Sequence, residues 1–378
     1  MTLTNNRIMK KLGFGLMRLP LVNPDDQTSI DIEKFKEMAD RFIERGFTYF
    51  DTAYPYHGGK SEEAFREAVV KRYPREAFTV TSKMPVWAIN EEGDLERIFN
   101  EQLERCGVDY FDYYWLHALN HERVKALKNI DGWSFIARKK AEGRIRHIGF
   151  SFHDDSALLA QILEEHPEVE YVQLQINYLD WDSPAIESRT CYELCVKHGK
   201  PVIVMEPVKG GSLARVPEAI DRLFKQYNPE ASPASWAIRF CASLPGVMTV
   251  LSGMSNMEQL QDNMSYMQDF QPLNDEEQAI IAQATQIISD SIAVPCTACH
   301  YCTDGCPQNI CIPEYFNVYN TLQQFPGQTN SKLYYDLVSK NHGKASECIE
   351  CGQCEAQCPQ HINIIDNLKL VAQAFEQS

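Results

Sequence analysis

Short runs rich in β-branched and aromatic residues alternate with longer, amphipathic stretches from Lys11 to about Met254. A typical longer stretch is IDIEKFKEMADRFIERG, whose apolar residues recur at helical spacing and which ends on Gly46, a residue suited to close a helix. The short runs have the length of buried strands, and eight of them occur in this order: GFGLMRL, TYFDTA, FTVTSKM, FDYYWLH, RHIGFS, YVQLQIN, PVIVMEP and VMTVLSG.

Strict alternation of strands and helices predicts parallel strands, because each helix carries the chain back to the start of the next strand. Eight such repeats in about 250 residues match the size of a (β/α)8 TIM barrel, an α/β fold. A doubly wound sheet is the alternative for the same alternation. In a barrel, the residues that end the strands meet at one face, where reactive groups lie.

The C-terminal part of the chain has a different pattern. CTACHYCTDGCP begins at Cys296 and CIECGQCEAQCP begins at Cys348, and the residues between and after these runs show helical periodicity. The helix predicted for LNDEEQAIIAQATQIISDS leads out of the barrel, with Asn274 as its N-cap. We therefore expect a barrel over residues 1–290 and a small, mainly α-helical domain over residues 291–378.

Both cysteine runs read C-x2-C-x2-C-x3-C-P, which resembles the bacterial ferredoxin pattern for [4Fe-4S] clusters. A zinc site is the less favoured alternative, since its ligands normally come from two separated pairs. The helical surroundings resemble the all-helical type of ferredoxin. In ferredoxins the fourth cysteine of each run generally ligates the other cluster. The resemblance therefore implies two clusters, the first held by Cys296, Cys299, Cys302 and Cys358 and the second by Cys348, Cys351, Cys354 and Cys306.

The composition is that of a globular protein, with 44% hydrophobic and 23% charged residues among 378. A formal net charge of −16 argues against binding to nucleic acid or to an anionic membrane surface and favours a small-molecule substrate. Neither a signal peptide nor a membrane-spanning run is evident, so we expect a cytoplasmic protein. Thirteen cysteines in that compartment indicate metal ligation and packing rather than disulfides. Cys106, Cys191, Cys195 and Cys241 are expected to be buried packing residues.

Four polar residues stand at or just beyond strand ends: Asp51, Tyr56, Lys83 and His117. FDTAYPYHGGKSEEAFREAV resembles the signature of the aldo/keto reductases, in which an Asp is followed five residues later by a catalytic Tyr. TSK, WLH, IRHIGFS, MEPVKGG and VLSGMSNMEQLQDN extend the resemblance over roughly residues 8–265. It implies an oxidoreductase that reduces a carbonyl or related small molecule.

Reduction of a carbonyl requires a hydride on carbon and a proton on oxygen. The resemblance makes Tyr56 the proton donor, and the Lys83 ammonium would stabilise its developing phenolate. Asp51 would keep Lys83 charged and oriented, and His117 would hydrogen-bond the substrate oxygen. Each residue alone has an ordinary structural explanation, but four at the expected places favour catalysis.

The same resemblance implies NAD(P)H as cofactor, contacted by Ser151, Gln175, Gly211, Asp262 and Asn263. Several expected contacts are replaced, however, and the replacing residues are Phe152, Met205, Glu206, Gly253 and Gln259. The last two stand where the NADPH-dependent pattern has cations for the 2′-phosphate. We therefore expect weak discrimination between NADPH and NADH.

A hydride carrier moves electron pairs, whereas iron-sulfur clusters pass electrons singly. A flavin converts between the two, because it accepts a hydride and releases single electrons. Two hypotheses follow. In the first, the barrel binds NAD(P)H and the clusters exchange electrons with a redox partner protein; in the second, the barrel binds FMN and the clusters supply it with electrons. Two further alternatives are an electron-transfer or redox-sensing protein with an inactive barrel, and clusters with a purely structural role. Specificity is expected in loops 57–60 and 119–130, which contain no motif.

Overall fold

The computed structural model describes residues 3–4, 7–8, 10–184, 186–296, 298, 300, 302–303, 305–325, 330–358 and 360–376, with the backbone alone for 3, 4, 7, 8 and 92. These residues form two compact units. The first unit comprises Met1–Asp182, Ile186–Val208 and Ala234–Asn274, and the second comprises Ser183–Ala185, Lys209–Pro233 and Asp275–Ser378. The boundary at residue 290 stays a prediction of domain organisation.

Eight parallel strands close into a barrel, in the order β10-β3-β4-β5-β6-β7-β8-β9. A short antiparallel pair, β1 (Leu3–Thr4) and β2 (Arg7–Ile8), precedes it. The barrel strands are β3 (Leu12–Gly15), β4 (Tyr49–Asp51), β5 (Thr79–Met84), β6 (Phe111–Leu119), β7 (Ile145–Phe152), β8 (Tyr171–Gln175), β9 (Val202–Met205) and β10 (Val247–Ser252). Each lies within or overlaps one of the eight predicted runs, so the predicted (β/α)8 barrel is confirmed and the doubly wound alternative is wrong.

Helices cover the outside of the barrel strands and pack on them through one apolar core. The helices are α1 (Ile32–Glu44), α2 (Ser61–Phe65), α3 (Glu92–Cys106), α4 (His121–Ile130), α5 (Gly132–Ala141), α6 (Ser156–Glu165), α7 (Ser188–Lys197), α9 (Pro233–Ser243) and α10 (Met257–Met267). Asp31 caps α1 and Gly46, at φ 80°, follows its end as the sequence predicts. Four cysteines are buried as expected, namely Cys106, Cys191, Cys195 and Cys241.

The barrel interior is filled by large side chains from alternate strand positions, which form a separate cluster. Tyr49 of β4, Tyr113 and Trp115 of β6 and Tyr171 of β8 provide its aromatic rings. Because successive residues of a strand face opposite sides, the next inward-facing positions of these strands lie at the C-terminal end of the barrel. Asp51 and His117 occupy two of them, two residues beyond Tyr49 and Trp115.

The second unit is helical among its described residues. Its helices are α8 (Glu218–Tyr227), α11 (Asp275–Ser289), α12 (Ile312–Gln324), α13 (Asn330–Val338), α14 (Gln353–Gln357) and α15 (Ile364–Phe375). The helical periodicity predicted after the second cysteine run corresponds to α15, which contributes Ile364, Leu368, Val371 and Phe375 to the core of this unit. In α13, Leu333 and Leu337 are half-exposed, whereas Ser331 and Tyr335 are buried.

No helix among the described residues is both long and apolar enough to span a membrane.

Candidate active site and cluster cavities

Lys83 connects the predicted catalytic residues. Its Nζ donates to Asp51 Oδ1 at 2.5 Å and to the Thr52 carbonyl oxygen at 2.8 Å, and lies 3.4 Å from Tyr56 Oη. The pairing of β4 with β5 sets Asp51 beside Thr81, so that Lys83, two residues further, extends inward just beyond Asp51. The structure therefore brings Asp51, Lys83 and Tyr56 into one hydrogen-bonded group.

Charge in this group is balanced inside the protein. Lys83 is fully buried, and burial alone would lower its pKa, but Asp51 and Tyr56 raise that pKa above its ordinary value. Asp51 also accepts from Gln173 Nε2 at 3.4 Å. Lys83 is therefore a fixed cation whose Nζ contacts the Tyr56 hydroxyl.

Tyr56 remains protonated at neutral pH in this arrangement. Burial raises its pKa above the ordinary value for tyrosine, Lys83 partly offsets that rise, and Asp51 and Glu206 add to it. The phenol follows β4 in a turn that the buried His57 holds, because His57 Nε2 accepts from the Leu19 backbone N–H at 3.1 Å. A phenol that is protonated and touches an ammonium group has the properties of a proton donor.

His117 joins the same group from β6. Its ring lies 6.1 Å from the Tyr56 ring and 5.0 Å from the Trp87 ring, measured between centroids. Burial, together with the charge of Lys83, holds the pKa of His117 well below its usual range, so the imidazole is neutral. Its Nδ1 is buried without a hydrogen-bond partner among the described residues. A neutral imidazole can donate a hydrogen bond to a substrate oxygen.

The residues predicted to bind the cofactor are only partly brought together. Ser151 ends near His117, where its Oγ accepts from the Ala118 N–H at 2.6 Å, and Gln175 Nε2 donates to Asp180 Oδ2 at 3.3 Å. Asn263 is buried in α10 and bonds internally, with Nδ2 to Ser252 at 2.7 Å and Oδ1 to Tyr266 at 2.6 Å. Asp262 is half-buried beside it. Gly211 lies in the second unit, at φ 105°.

Two cavities in the second unit are lined by the predicted cluster ligands. One is lined by Cys296, Cys302 and Cys358 together with side chains that include His300, Phe316 and Ile364. The other is lined by Cys306, Cys348, Cys351 and Cys354 together with side chains that include Ile310, Ile312 and Leu368. Cys299 lies outside the described residues. Each cavity thus combines cysteines of one run with the fourth cysteine of the other.

The two cysteine runs also share one backbone pattern, 52 positions apart. Left-handed residues occupy the same places in both runs, as Ala298 matches Glu350, His300 matches Gly352 and Asn309 matches His361, all with φ between 51° and 73°. Such residues turn the backbone N–H groups in towards a loop centre. N–H groups reach two sulfurs, from Ala298 to Cys296 Sγ and from Ile310 to Cys306 Sγ, both at 3.5 Å. Thiolate donors with N–H groups aimed at sulfur fit an iron-sulfur cluster.

The aldo/keto reductase family profile matches residues 11–286 of the 378. This chain belongs to the aldo/keto reductase family. An aldo-keto reductase of Mycobacterium avium (strain 104) is 26% identical over 260 residues, which are 68% of this chain and 80% of that protein. An uncharacterized oxidoreductase of Schizosaccharomyces pombe is 25% identical over 267 residues, which are 68% of this chain and 81% of that protein.

Solved structures of aldo-keto reductases share the barrel. The holo form from Bacillus halodurans superposes with a TM-score of 0.58 at 23% identity, over 74% of this chain and 94% of that one. A Klebsiella pneumoniae enzyme in complex with NADPH superposes with a TM-score of 0.55 at 23% identity, over 73% of this chain and 90% of that one. The profile of a 4Fe-4S dicluster domain matches residues 295–363. The chain is therefore an oxidoreductase in which an aldo/keto reductase barrel precedes an iron-sulfur domain.

Sequence reasoning missed several residues around the candidate site. Gln173 supports Asp51, and His57 fixes the turn that carries Tyr56. Trp87 covers His117, and the guanidinium of Arg123 lies over the Trp87 ring at 4.7 Å. The inward alternation of β8 could have indicated Gln173. No comparable pattern pointed to Trp87 or Arg123, because loop conformation places them.

Proposed function

We propose that this protein reduces a carbonyl or related small molecule with Tyr56 as the proton donor. The contact of Tyr56 Oη with the buried, charged Nζ of Lys83 is the observation that carries the proposal. As the phenol gives up its proton to the substrate oxygen, the nearby ammonium stabilises the phenolate that remains. Asp51 keeps Lys83 charged and oriented, and the neutral His117 donates a hydrogen bond to the same oxygen.

NAD(P)H is proposed as the hydride source, in line with the NADPH complex of the Klebsiella pneumoniae relative. When bound, it would supply the hydride that adds to the carbonyl carbon. Ser151, Gln175, Gly211, Asp262 and Asn263 are the proposed contacts. A bound FMN is the second candidate, favoured by Phe152, Met205 and Glu206 at positions where the family contacts nicotinamide.

Two [4Fe-4S] clusters with crossed ligation are proposed for the second unit. When bound, they would supply single-electron transfer to or from a redox partner protein. Cys351 is exposed whereas Cys354 is buried, so the cavity of Cys306, Cys348, Cys351 and Cys354 has a ligand at the protein surface. The intact group around Lys83 weighs against an inactive barrel that serves only as a sensor.

The test of the reductase proposal is Tyr56→Phe, measured on anaerobically purified full-length protein. Carbonyl reduction should fall by about 10²-fold or more, because the variant lacks only the proton donor. Iron content and cofactor binding should not change. The matched control is Tyr54→Phe, since the Tyr54 hydroxyl bonds Glu101 at 3.3 Å and its ring lies under Arg105. Equal turnover by Tyr56→Phe and wild type would refute the role of Tyr56.

A further inference from the structure

Arg123 is held at the mouth of the barrel beside the proposed catalytic group. It lies in the first turn of α4, where Asn120 Oδ1 accepts from its backbone N–H at 2.9 Å. Its guanidinium stacks on Trp87 at 4.7 Å, and Nη1 donates to the Ala118 carbonyl oxygen at 2.5 Å. Trp87 in turn packs on His117, with ring centroids 5.0 Å apart. A single ring therefore separates the guanidinium from the imidazole that faces the substrate oxygen.

This guanidinium has no carboxylate within 4.0 Å among the described residues, although Arg123 is half-buried. Two other half-buried arginines have a carboxylate partner, since Arg75 lies 2.6 Å from Asp112 and Arg105 forms an ion pair with Glu101. Holding a cation partly out of water without a counter-charge is unfavourable, which is why such groups are normally paired. Arg123 is therefore positioned for an anion that the protein itself does not provide.

Nearby carboxylates have other partners. Asp154 accepts from the His121 backbone N–H at 2.8 Å, and Asp155 lies 3.1 Å from His121 Nε2. Glu122 acts on Arg123 only at longer range, as a charge that favours the protonated guanidinium. These carboxylates leave the edge of the guanidinium available.

We propose that Arg123 binds a carboxylate of the substrate, so that the enzyme reduces anionic carbonyl compounds whose carboxylate is separated from the carbonyl by a ring or a short chain. The inference rests on the proposed function and adds a substrate class to it. A guanidinium has five N–H donors, and its planar edge matches the two oxygens of a carboxylate. One face of the guanidinium stacks on Trp87 and one of its donors bonds Ala118, so the remaining donors are preorganised for contact with a carboxylate. Trp87, 46% exposed, offers an apolar surface to the carbon skeleton of the substrate.

The test compares 4-formylbenzoate, in which a ring separates the aldehyde from the carboxylate, with its methyl ester, which has the same aldehyde and no charge. Wild type should prefer the acid. Arg123→Gln should lower kcat/KM for the acid by about 10- to 100-fold, the range for loss of a charged hydrogen bond, and change that for the ester little. Lys125→Gln removes the same charge from an exposed position of the same helix and should behave as wild type. An equal loss for acid and ester in Arg123→Gln would overturn the inference.

A binding measurement separates this inference from the proposed reaction. Quenching of tryptophan fluorescence, followed with the acid and with the ester, should show tighter acid binding in wild type and Lys125→Gln. Arg123→Gln should lose that preference, and Arg123→Lys should recover only part of it because ammonium lacks the planar edge. Acid binding that depends on Arg123 without turnover would support the inference while refuting the reductase proposal. Turnover with no preference for the acid in wild type would refute the inference alone.

Discussion

Glu62 is a buried carboxyl directly behind the proposed catalytic lysine. It is 0% exposed and accepts hydrogen bonds from Ser82 Oγ and Gln102 Nε2, each at 2.7 Å. Gln102 Nε2 also lies 3.1 Å from the carbonyl oxygen of Lys83. Burial raises the pKa of Glu62 from 4.5 to about 7, although these donors and Arg105 oppose the rise. Glu62 is therefore a buried titratable group that is hydrogen-bonded, through Ser82 and Gln102, to β5, the strand that carries Lys83.

The raised pKa predicts a pH-dependent stability that Glu62→Gln should remove. A carboxyl whose pKa is higher in the folded state stabilises the fold fully below its unfolded pKa, and this contribution disappears as the pH rises through the folded pKa. For a shift from 4.5 to about 7, the contribution is about 3 kcal/mol. Thermal unfolding of anaerobic protein should therefore show wild type losing more stability than Glu62→Gln between pH 5 and pH 8. Parallel pH profiles of the two proteins would contradict this assignment.

Residue positions were predictable where strand alternation fixes them. Asp51, Lys83 and His117 occupy inward positions at strand ends, so the sequence and the family resemblance were enough to bring them together. Trp87 and Arg123 were missed because their placement depends on backbone turns, including Ala118 at φ 54°, which have no sequence signature here.

At the scale of elements, all eight barrel strands were predictable because strands buried on both faces read as short apolar runs. The buried face of α13 was not predictable, because Leu333 and Leu337 have the helical spacing of a buried face and are nevertheless half-exposed. Periodicity identifies a helix but does not say which side meets the core when the helix is short and largely apolar. The repeat of the two cysteine runs is evident from the sequence, and the structure adds that the left-handed residues of the two loops also match.

Crossed ligation by these loops predicts the effect of Cys358→Ala. Wild type should contain about eight iron and eight sulfide per chain, and the variant should lose up to half of each. Alkylation of the anaerobic variant, followed by mass spectrometry, should label Cys296 and Cys302 while Cys348 and Cys354 stay protected. Cys311→Ala is the matched control, because the Cys311 thiol donates to Glu314 Oε2 at 2.8 Å.

Two results would contradict this arrangement. Labelling of Cys348 and Cys354 in place of Cys296 and Cys302 would mean that each run ligates its own cluster. Zinc without sulfide in the wild-type protein would exclude iron-sulfur clusters altogether.

At the scale of the whole molecule, the two proposed cofactor types differ in the number of electrons that they transfer at a time. The family membership of the barrel favours a hydride carrier, and the dicluster domain favours single electrons. The cofactor that connects hydride transfer with single-electron transfer is selected by side-chain contacts. Sequence alone defines such contacts poorly, because an aligned position does not say where its side chain points. Gln259 is an example, since its Oε1 accepts from the Ser255 N–H at 2.7 Å and closes a loop.

We therefore expect NADPH and NADH to bind with affinities within about tenfold of each other, because neither Gly253 nor Gln259 offers a charge-assisted contact to a 2′-phosphate. Titration of the anaerobic protein with NADPH, NADH and free FMN, followed by cluster bleaching and cofactor fluorescence, measures this directly.

A preference for NADPH well beyond tenfold would contradict the expectation and point to Arg18, whose Cγ would lie 2.8 Å from a side chain at Gly253. Arg18→Gln would then abolish the preference without weakening NADH. Tightly bound FMN would instead place the two-electron to one-electron conversion inside the barrel itself.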